Sequence, residues 1–189
     1  TDSDPCFPSA AMVTKADGMP SRIDALKEGD EIVAATANGA ITTDFVTLFS
    51  ITNPEAQAKS FLTLTTAANA TLTLTPEHHI PIGDACCSTL KKARDVSVGE
   101  TVWAVKDGAA AATQVTAVSK ASKTGLHSPV LLHGSFPIVD GHVTAFDSIE
   151  KMVLAQHALS PLLAVCKALG TCGMFKQLFL GDDLKYVEA

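Results

Sequence analysis

Cysteine is scarce in this chain of 189 residues, with five in all, at positions 6, 86, 87, 166 and 172. That is too few for a disulfide scaffold, and the odd count leaves at least one outside any intramolecular pair. Basic charge is short as well, with 14 Lys and Arg against 20 Asp and Glu and a net charge of -6. No basic stripe runs along the chain, which excludes the clustered phosphate contacts that nucleic-acid binding requires. No stretch reaches the ~18 uninterrupted apolar residues of a spanning helix. A signal-peptide pattern is missing too, and the chain opens on Thr1 rather than Met, so composition leaves the compartment undecided. A start without Met, followed by cysteine at the sixth position, is expected of a piece cut from a longer precursor.

What remains is 47% hydrophobic and 18% charged. It is rich in Ala and Thr without being low-complexity, which excludes a disordered chain. The length suits one domain, or one domain with a small appendage, and is ample for a core.

Through Ile149 the segments read as strands. The run 45–51 (FVTLFSI) is apolar and β-branched, while 61–66 (FLTLTT) and 71–75 (TLTLT) alternate with period two. Asn38-Gly39 and Asp107-Gly108, each between strand-like flanks, are expected to make tight I′ hairpin turns, because such dipeptides accept positive φ. A weak internal repeat matches 24–39 (DALKEGDEIVAATANG) to 94–108 (RDVSVGETVWAVKDG) at an offset of 70 that slips to 69 by the turns. Leu26, Gly29, Asp30, Ile32 and Ala34 face Val96, Gly99, Glu100, Val102 and Ala104, and Val46-Thr47 match Val115-Thr116 further on. The repeat implies two β subdomains related by pseudo-symmetry. Two copies are too few for a solenoid.

From Asp147 the period changes. Asp147 or Ser148 can cap a helix carrying Ile149, Met152, Val153 and Gln156, with Glu150 placed for a capping box. Ser160-Pro161 opens a second short helix over 162–169 that Gly170 stops. A third is expected over about 174–180, before Gly181.

Chemistry concentrates at two places. Cys6 precedes a strand-like FPSAAMV. In 71–80 (TLTLTPEHHI), Thr75 and His78 stand three apart across Pro76, whose fixed φ sets a turn at a strand end. A strand-end Thr and a His just past the turn can point both side chains at one peptide bond. Taken together, CFPSAAMV, then IDALKEGDEIVAA, the TANG turn at 36–39 and LTLTPEHHI resemble the Hint domain of hedgehog autoprocessing proteins and inteins, the hedgehog branch most. The resemblance covers roughly residues 6–149.

It implies an all-β fold, a pseudo-two-fold Hint horseshoe, with the C-terminal helices as a small appendage. Residues 1–5 would then be the tail of an upstream segment, 6–149 the processing domain and 150–189 a helical extension. It further implies a single-turnover, cysteine-dependent self-cleavage. Cys6 would attack the carbonyl of Pro5 and form a thioester by N–S acyl shift. His78 would serve as general acid to the leaving nitrogen, and Thr75 would orient the peptide. Water or another small nucleophile, a thiol or a lipid alcohol, would then release the upstream protein. A secreted or extracellular setting follows from the same resemblance. The contrasting reading is a degenerate Hint domain that binds or supports without cleaving.

Departures from the family pattern narrow the expectation. Hedgehog proteins carry an Asp near the end of the strand that here reads FVTLFSI; Ile51 stands there, flanked by Ser50 and Thr52, which disfavours sterol transfer. No His-Asn pair closes the domain, so splicing is not expected. Asp147 stands near the place of a hedgehog cysteine, as a base or as the cap of the next helix. Pro5 replaces the hedgehog glycine, and its bulk should slow the shift.

His79 is expected to be structural or exposed, and His142 lacks a motif, as does His133. Cys86-Cys87 reads as a loop pair rather than a zinc site with His78 and His79, because zinc ligands favour C-x-x-C spacing. Cys166 and Cys172 flank Gly170 and could pair if the protein is secreted. No cofactor or metal is expected, and the domain should be monomeric. Any membrane association would run through the C-terminal helices, which otherwise pack their apolar faces on the β domain.

Overall fold

The computed structural model describes residues 5–67 and 69–145, with positions 161, 165, 168 and 169. The order is β1 (Met12–Thr14), β2 (Pro20–Arg22), β3 (Glu31–Ala35), β4 (Ile41–Thr66), β5 (Thr71–Leu74), β6 (His79–Pro81), β7 (Leu90–Lys92), β8 (Thr101–Lys106), β9 (Ala109–Leu131), β10 (Phe136–Val139) and β11 (His142–Val143). Short 3-10 turns at Ile23–Ala25 and Ala93–Asp95 precede β3 and β8. Every pairing among these strands is antiparallel. The described residues of 5–145, apart from the short 3-10 turns, are thus all-β, as expected of the Hint horseshoe.

Two long strands carry the architecture. The 26 residues of β4 pair with the 23 of β9, with register shifts at five places. Such bulges bend and twist a ribbon too long to stay flat. Around it the ladder runs β3-β10-β11-β8-β9-β4-β5, and β3 pairs β4 as well, so the ladder returns on itself. The small sheets β1-β2 and β6-β7 lie outside it.

The strands predicted over 45–51 and 61–66 both fall within β4, and 71–74 forms β5. Period-two burial accounts for this: Leu72 and Leu74 are buried between the exposed Thr71 and the half-buried Thr73. The principal core gathers Phe7, Ile23, Ile32, Leu64, Leu72, Leu74, Ile80 and Leu131 with smaller apolar groups. A second cluster joins Ala35, Cys87, Phe136, Ile138, Val143 and Ala145.

Of the two expected I′ turns, one forms. Asp107 (φ 52°) and Gly108 (φ 76°) both take positive φ between the paired Lys106 and Ala109. At Asn38-Gly39 only Gly39 does, at φ 82°. There the link is longer: Gly39 donates to the Thr36 carbonyl at 2.9 Å and Thr36 to that of Ala40 at 2.8 Å. The Asn38 side chain explains the difference, since its Oδ1 accepts from Thr36 Oγ1 and, at 3.4 Å, from the Ala40 N–H in an Asx turn.

Pro161, Val165, Ala168 and Leu169 are helical and exposed, on the segment expected to hold the second helix. The first and third expected helices, Asp147, Cys166 and Cys172 lie outside the described residues.

Candidate active site

Cys6 is a fully buried thiol flanked by two strands. On one side its N–H donates to Thr75 Oγ1 at 2.8 Å, and its carbonyl accepts the Thr75 N–H at 2.9 Å. On the other, Phe7 exchanges both backbone hydrogen bonds with His127 on β9, at 2.8 and 2.9 Å. Pro5, which supplies the carbonyl of the Pro5–Cys6 bond, is half-buried.

Thr75 and His78 are the two ends of one turn, closed by the His78 N–H on the Thr75 carbonyl at 3.1 Å, with Pro76 second in the turn. The next 3-10 turn clamps it: Ala93 donates to the His78 carbonyl at 2.8 Å and Arg94 to that of Pro76 at 3.0 Å. Glu77, between them, takes Lys92 Nζ at 2.6 Å and the Arg94 guanidinium. The Lys92 bond, with the Arg94 charge beside it, holds the Glu77 carboxyl below the usual range.

His78 is fully buried, its ring centroid 4.2 Å from that of Phe7, the planes at 51°. Its Nε2 bonds the carbonyl of Ala145. A carbonyl only accepts, so that nitrogen carries the proton, and Nδ1 is where a second proton is gained or given. The turn thus brings Thr75 onto the Cys6 amide and the His78 ring onto Phe7, the residue that follows, whereas the spacing suggests both side chains at one peptide bond.

The other candidates are elsewhere. His79 opens β6 opposite Lys92. His133 lies with its ring largely exposed, and Nδ1 bonds the buried Asp44 carboxylate at 2.8 Å. Asp44 also accepts the backbone N–H groups of Phe45, His133 and Ser135, so it ties the 132–135 loop to β4. His142 is buried in β11, with Nδ1 on the Asp140 carbonyl at 2.8 Å. Its burial lowers its basicity, against the weaker opposing pull of the Asp140 carbonyl. Cys86 and Cys87 are disulfide-bonded to each other in a loop against the 36–40 turn, where Cys87 N–H reaches the Ala37 carbonyl at 2.8 Å. A Cβ on Gly39 would come within 3.0 Å of Cys86 Cβ.

At the place of the expected carboxylate, Ile51 pairs Ser128, Ser50 Oγ donates to the Ser128 carbonyl at 3.2 Å, and Thr52 faces His127. His127 was not among the candidates read from the sequence. The signal for it was Gly125, a glycine inside an otherwise strand-like run, which marks a bulge or a close backbone approach.

The Hint module family model matches residues 1–183, and the chain belongs to that family. Among curated proteins it is similar to the Tiggy-winkle hedgehog protein of Danio rerio, 28% identical over 163 residues, 83% of this chain and 39% of that protein. It is also similar to the Indian hedgehog protein of Gallus gallus, 26% identical over 175 residues, 89% of this chain and 43% of that protein. Protein qua-1 of Caenorhabditis elegans is 26% identical over 77% of this chain and 14% of its own length. The chain therefore spans less than half the length of these relatives. Among solved structures, a DnaB intein from Synechocystis aligns with a TM-score of 0.63 at 14% identity, over 77% of this chain and all of that one. An intein-like domain from Clostridium thermocellum aligns with a TM-score of 0.60 at 16% identity, over 74% of this chain and 96% of that one. These likenesses establish the shared Hint fold.

Proposed function

We propose that this Hint domain is a self-processing unit that cleaves the peptide bond between Pro5 and Cys6. The observation that carries the reading is the two-point grip of Thr75 on Cys6, with its hydroxyl on the very nitrogen that must leave.

The chemistry follows from that grip. The Cys6 thiol adds to the Pro5 carbonyl carbon; the C–S bond forms, the C–N bond breaks, and the thiol proton ends on the freed amine of Cys6. An amine leaves only when protonated, so the reaction needs an acid near that nitrogen. His78 is the candidate, held beside the Cys6-Phe7 segment by the Pro76 turn and by the Phe7 ring. Thr75 keeps the amide fixed, which removes part of the orientational entropy from the barrier. Water or a small external nucleophile then attacks the thioester, its oxygen or sulfur joins the carbonyl carbon, and Cys6 Sγ leaves.

Homology to hedgehog proteins supports the processing class and a secreted setting; the absence of a carboxylate at Ile51 favours water or a small nucleophile over a sterol. Residues 1–5 belong, in this reading, to the upstream segment, and the region after 149 to adduct recognition or packing. A protein fused upstream of Thr1 tests it. Dithiothreitol or hydroxylamine should release the fused protein, and Cys6→Ala should abolish release. Absence of thiol-dependent cleavage in the unaltered chain would leave the non-cleaving binding module as the better account.

A further inference from the structure

Outside the Thr75-His78 turn, a second cluster of polar side chains is built around the residues that follow Cys6. Ser9 Oγ lies 2.8 Å from His127 Nε2, and Thr52 Oγ1 lies 3.4 Å from Nδ1 of the same ring. The backbone adds Ser9 N–H to the Thr124 carbonyl at 3.0 Å beside the reciprocal Phe7-His127 pair. Ser9 and His127 are 7% and 2% exposed.

Gly125 makes this arrangement possible. It has a φ of +85°, and a Cβ there would fall 1.8 Å from Ser9 Oγ and 3.1 Å from His127 Nε2. Only a residue without a side chain leaves the Ser9 hydroxyl room to reach the imidazole. Burial makes His127 hard to protonate; the nearby Asp24 charge opposes this more weakly, and Arg22 reinforces it. A neutral ring that accepts the Ser9 O–H at Nε2 carries its proton on Nδ1, facing Thr52 Oγ1.

The mechanical consequence is specific. Directly opposed residues of an antiparallel pair put their side chains on one face, so the Phe7 ring has His127 as its cross-strand neighbour and His78 as its packing partner. Thr75 holds the segment along one edge, at Cys6. The second edge is fixed by β9 through Ser9 and His127.

We propose that Ser9, Gly125 and His127 form a latch that seats the Cys6-Phe7 segment, so that His127 is a positioning residue for thioester formation, acting through Phe7 on His78. This rests on the cleavage reading above.

The test uses the upstream-fused chain and compares the dithiothreitol-induced cleavage rate of wild type, Ser9→Ala, His127→Ala and His127→Gln. Thermal midpoints and the His78 ring-proton resonances are followed alongside, with Ser119→Ala, an exposed position of β9, as control. The latch predicts a ten- to roughly a hundredfold slower cleavage for Ser9→Ala and His127→Ala, partial recovery in His127→Gln, which keeps an acceptor for Ser9, and shifted His78 resonances at an assay temperature where each variant is still folded. Wild-type rates in Ser9→Ala and His127→Ala would overturn it, as would losses that track the fraction unfolded while His78 stays unmoved. If wild type itself does not cleave, the cleavage reading fails, and the His78 resonances alone decide the latch: unmoved in Ser9→Ala, they refute it.

Discussion

The two repeats fold into local frames built from the same backbone hydrogen bonds. Ile23 donates to the Ala11 carbonyl and Ala93 to that of His78, both at 2.8 Å. Gly29 reaches the Val46 carbonyl at 2.7 Å as Gly99 reaches that of Val115 at 2.8 Å, and Val46 and Val115 answer Asp30 and Glu100 at 2.8 and 2.9 Å. Each acidic residue caps its own turn, Asp30 on the Lys27 N–H and Glu100 on that of Ser97. Each acidic residue also takes a lysine, Lys15 on Asp30 and Lys91 on Glu100, although the two lysines come from non-equivalent strands of the repeat. The difference lies upstream of the frames. Where the first has Ala11, the second has His78; the strand leading into the first carries Cys6, and the strand leading into the second carries Thr75. The duplicated part is scaffold, and the residues proposed for the chemistry stand where the copies diverge, at the point where Cys6 and Thr75 meet.

The largest expected effect falls on that divergence. His78→Ala should slow thiol-induced cleavage on the order of a hundredfold, as for a lost general acid, measured on the upstream-fused chain. A rate within threefold of wild type would mean that His78, where the second copy departs from Ala11 of the first, carries no chemistry. Next comes a substitution that makes the first frame copy the second: Ile23→Ala, which installs the residue found at Ala93. Ile23 is fully buried, and its truncation should cost about 2–5 kcal/mol in urea unfolding. A negligible cost would show that the frames pack interchangeably there.

Gly29 and Gly99 sharpen the comparison further. Both have positive φ, 91° and 92°, and a Cβ on either meets nothing within 4 Å. Alanine at either position should therefore cost only left-handed backbone strain, about 1–3 kcal/mol, and the two costs should agree. A twofold disagreement in chemical denaturation would break the equivalence of the frames.

The smallest effects concern the ion pairs. Lys15→Ala and Lys91→Ala should each cost about 1 kcal/mol or less, because the pairs are partly exposed. Their acid dependence should differ. Asp30 is held low chiefly by the Lys27 N–H, and Glu100 chiefly by the Lys91 ammonium. A depressed carboxylate stabilises the fold above its ordinary range, and that contribution disappears as pH falls through its lowered folded value. Lys91→Ala should thus flatten the loss of stability below about pH 4 more than Lys15→Ala does. Equal flattening in thermal scans between pH 2 and 5 would contradict the assigned causes.

Much of this was legible in residue order. Alternation in TLTLT placed the strand, Pro76 placed the turn that gathers Thr75 and His78, and the match of Leu26-Gly29-Asp30 to Val96-Gly99-Glu100 anticipated the duplicated frame. What escaped depends on long-range register. Gly125 marks a close approach beside His127, but nothing local names Phe7, 120 residues earlier in the chain, as the partner, because the long-range register of β9 sets that pairing. The Asn38-Gly39 turn departs from the expected I′ form for a local reason: the Asn38 side chain bonds Thr36, and only Gly39 takes positive φ.

The central claim is a thioester at Cys6, and intact mass measurement of the released upstream fragment tests it most directly. With dithiothreitol present, the account predicts a fragment ending at Pro5 and carrying one dithiothreitol, a companion chain beginning at Cys6, and neither product from Cys6→Ala. A cut at another bond, or the same products from Cys6→Ala, would contradict it.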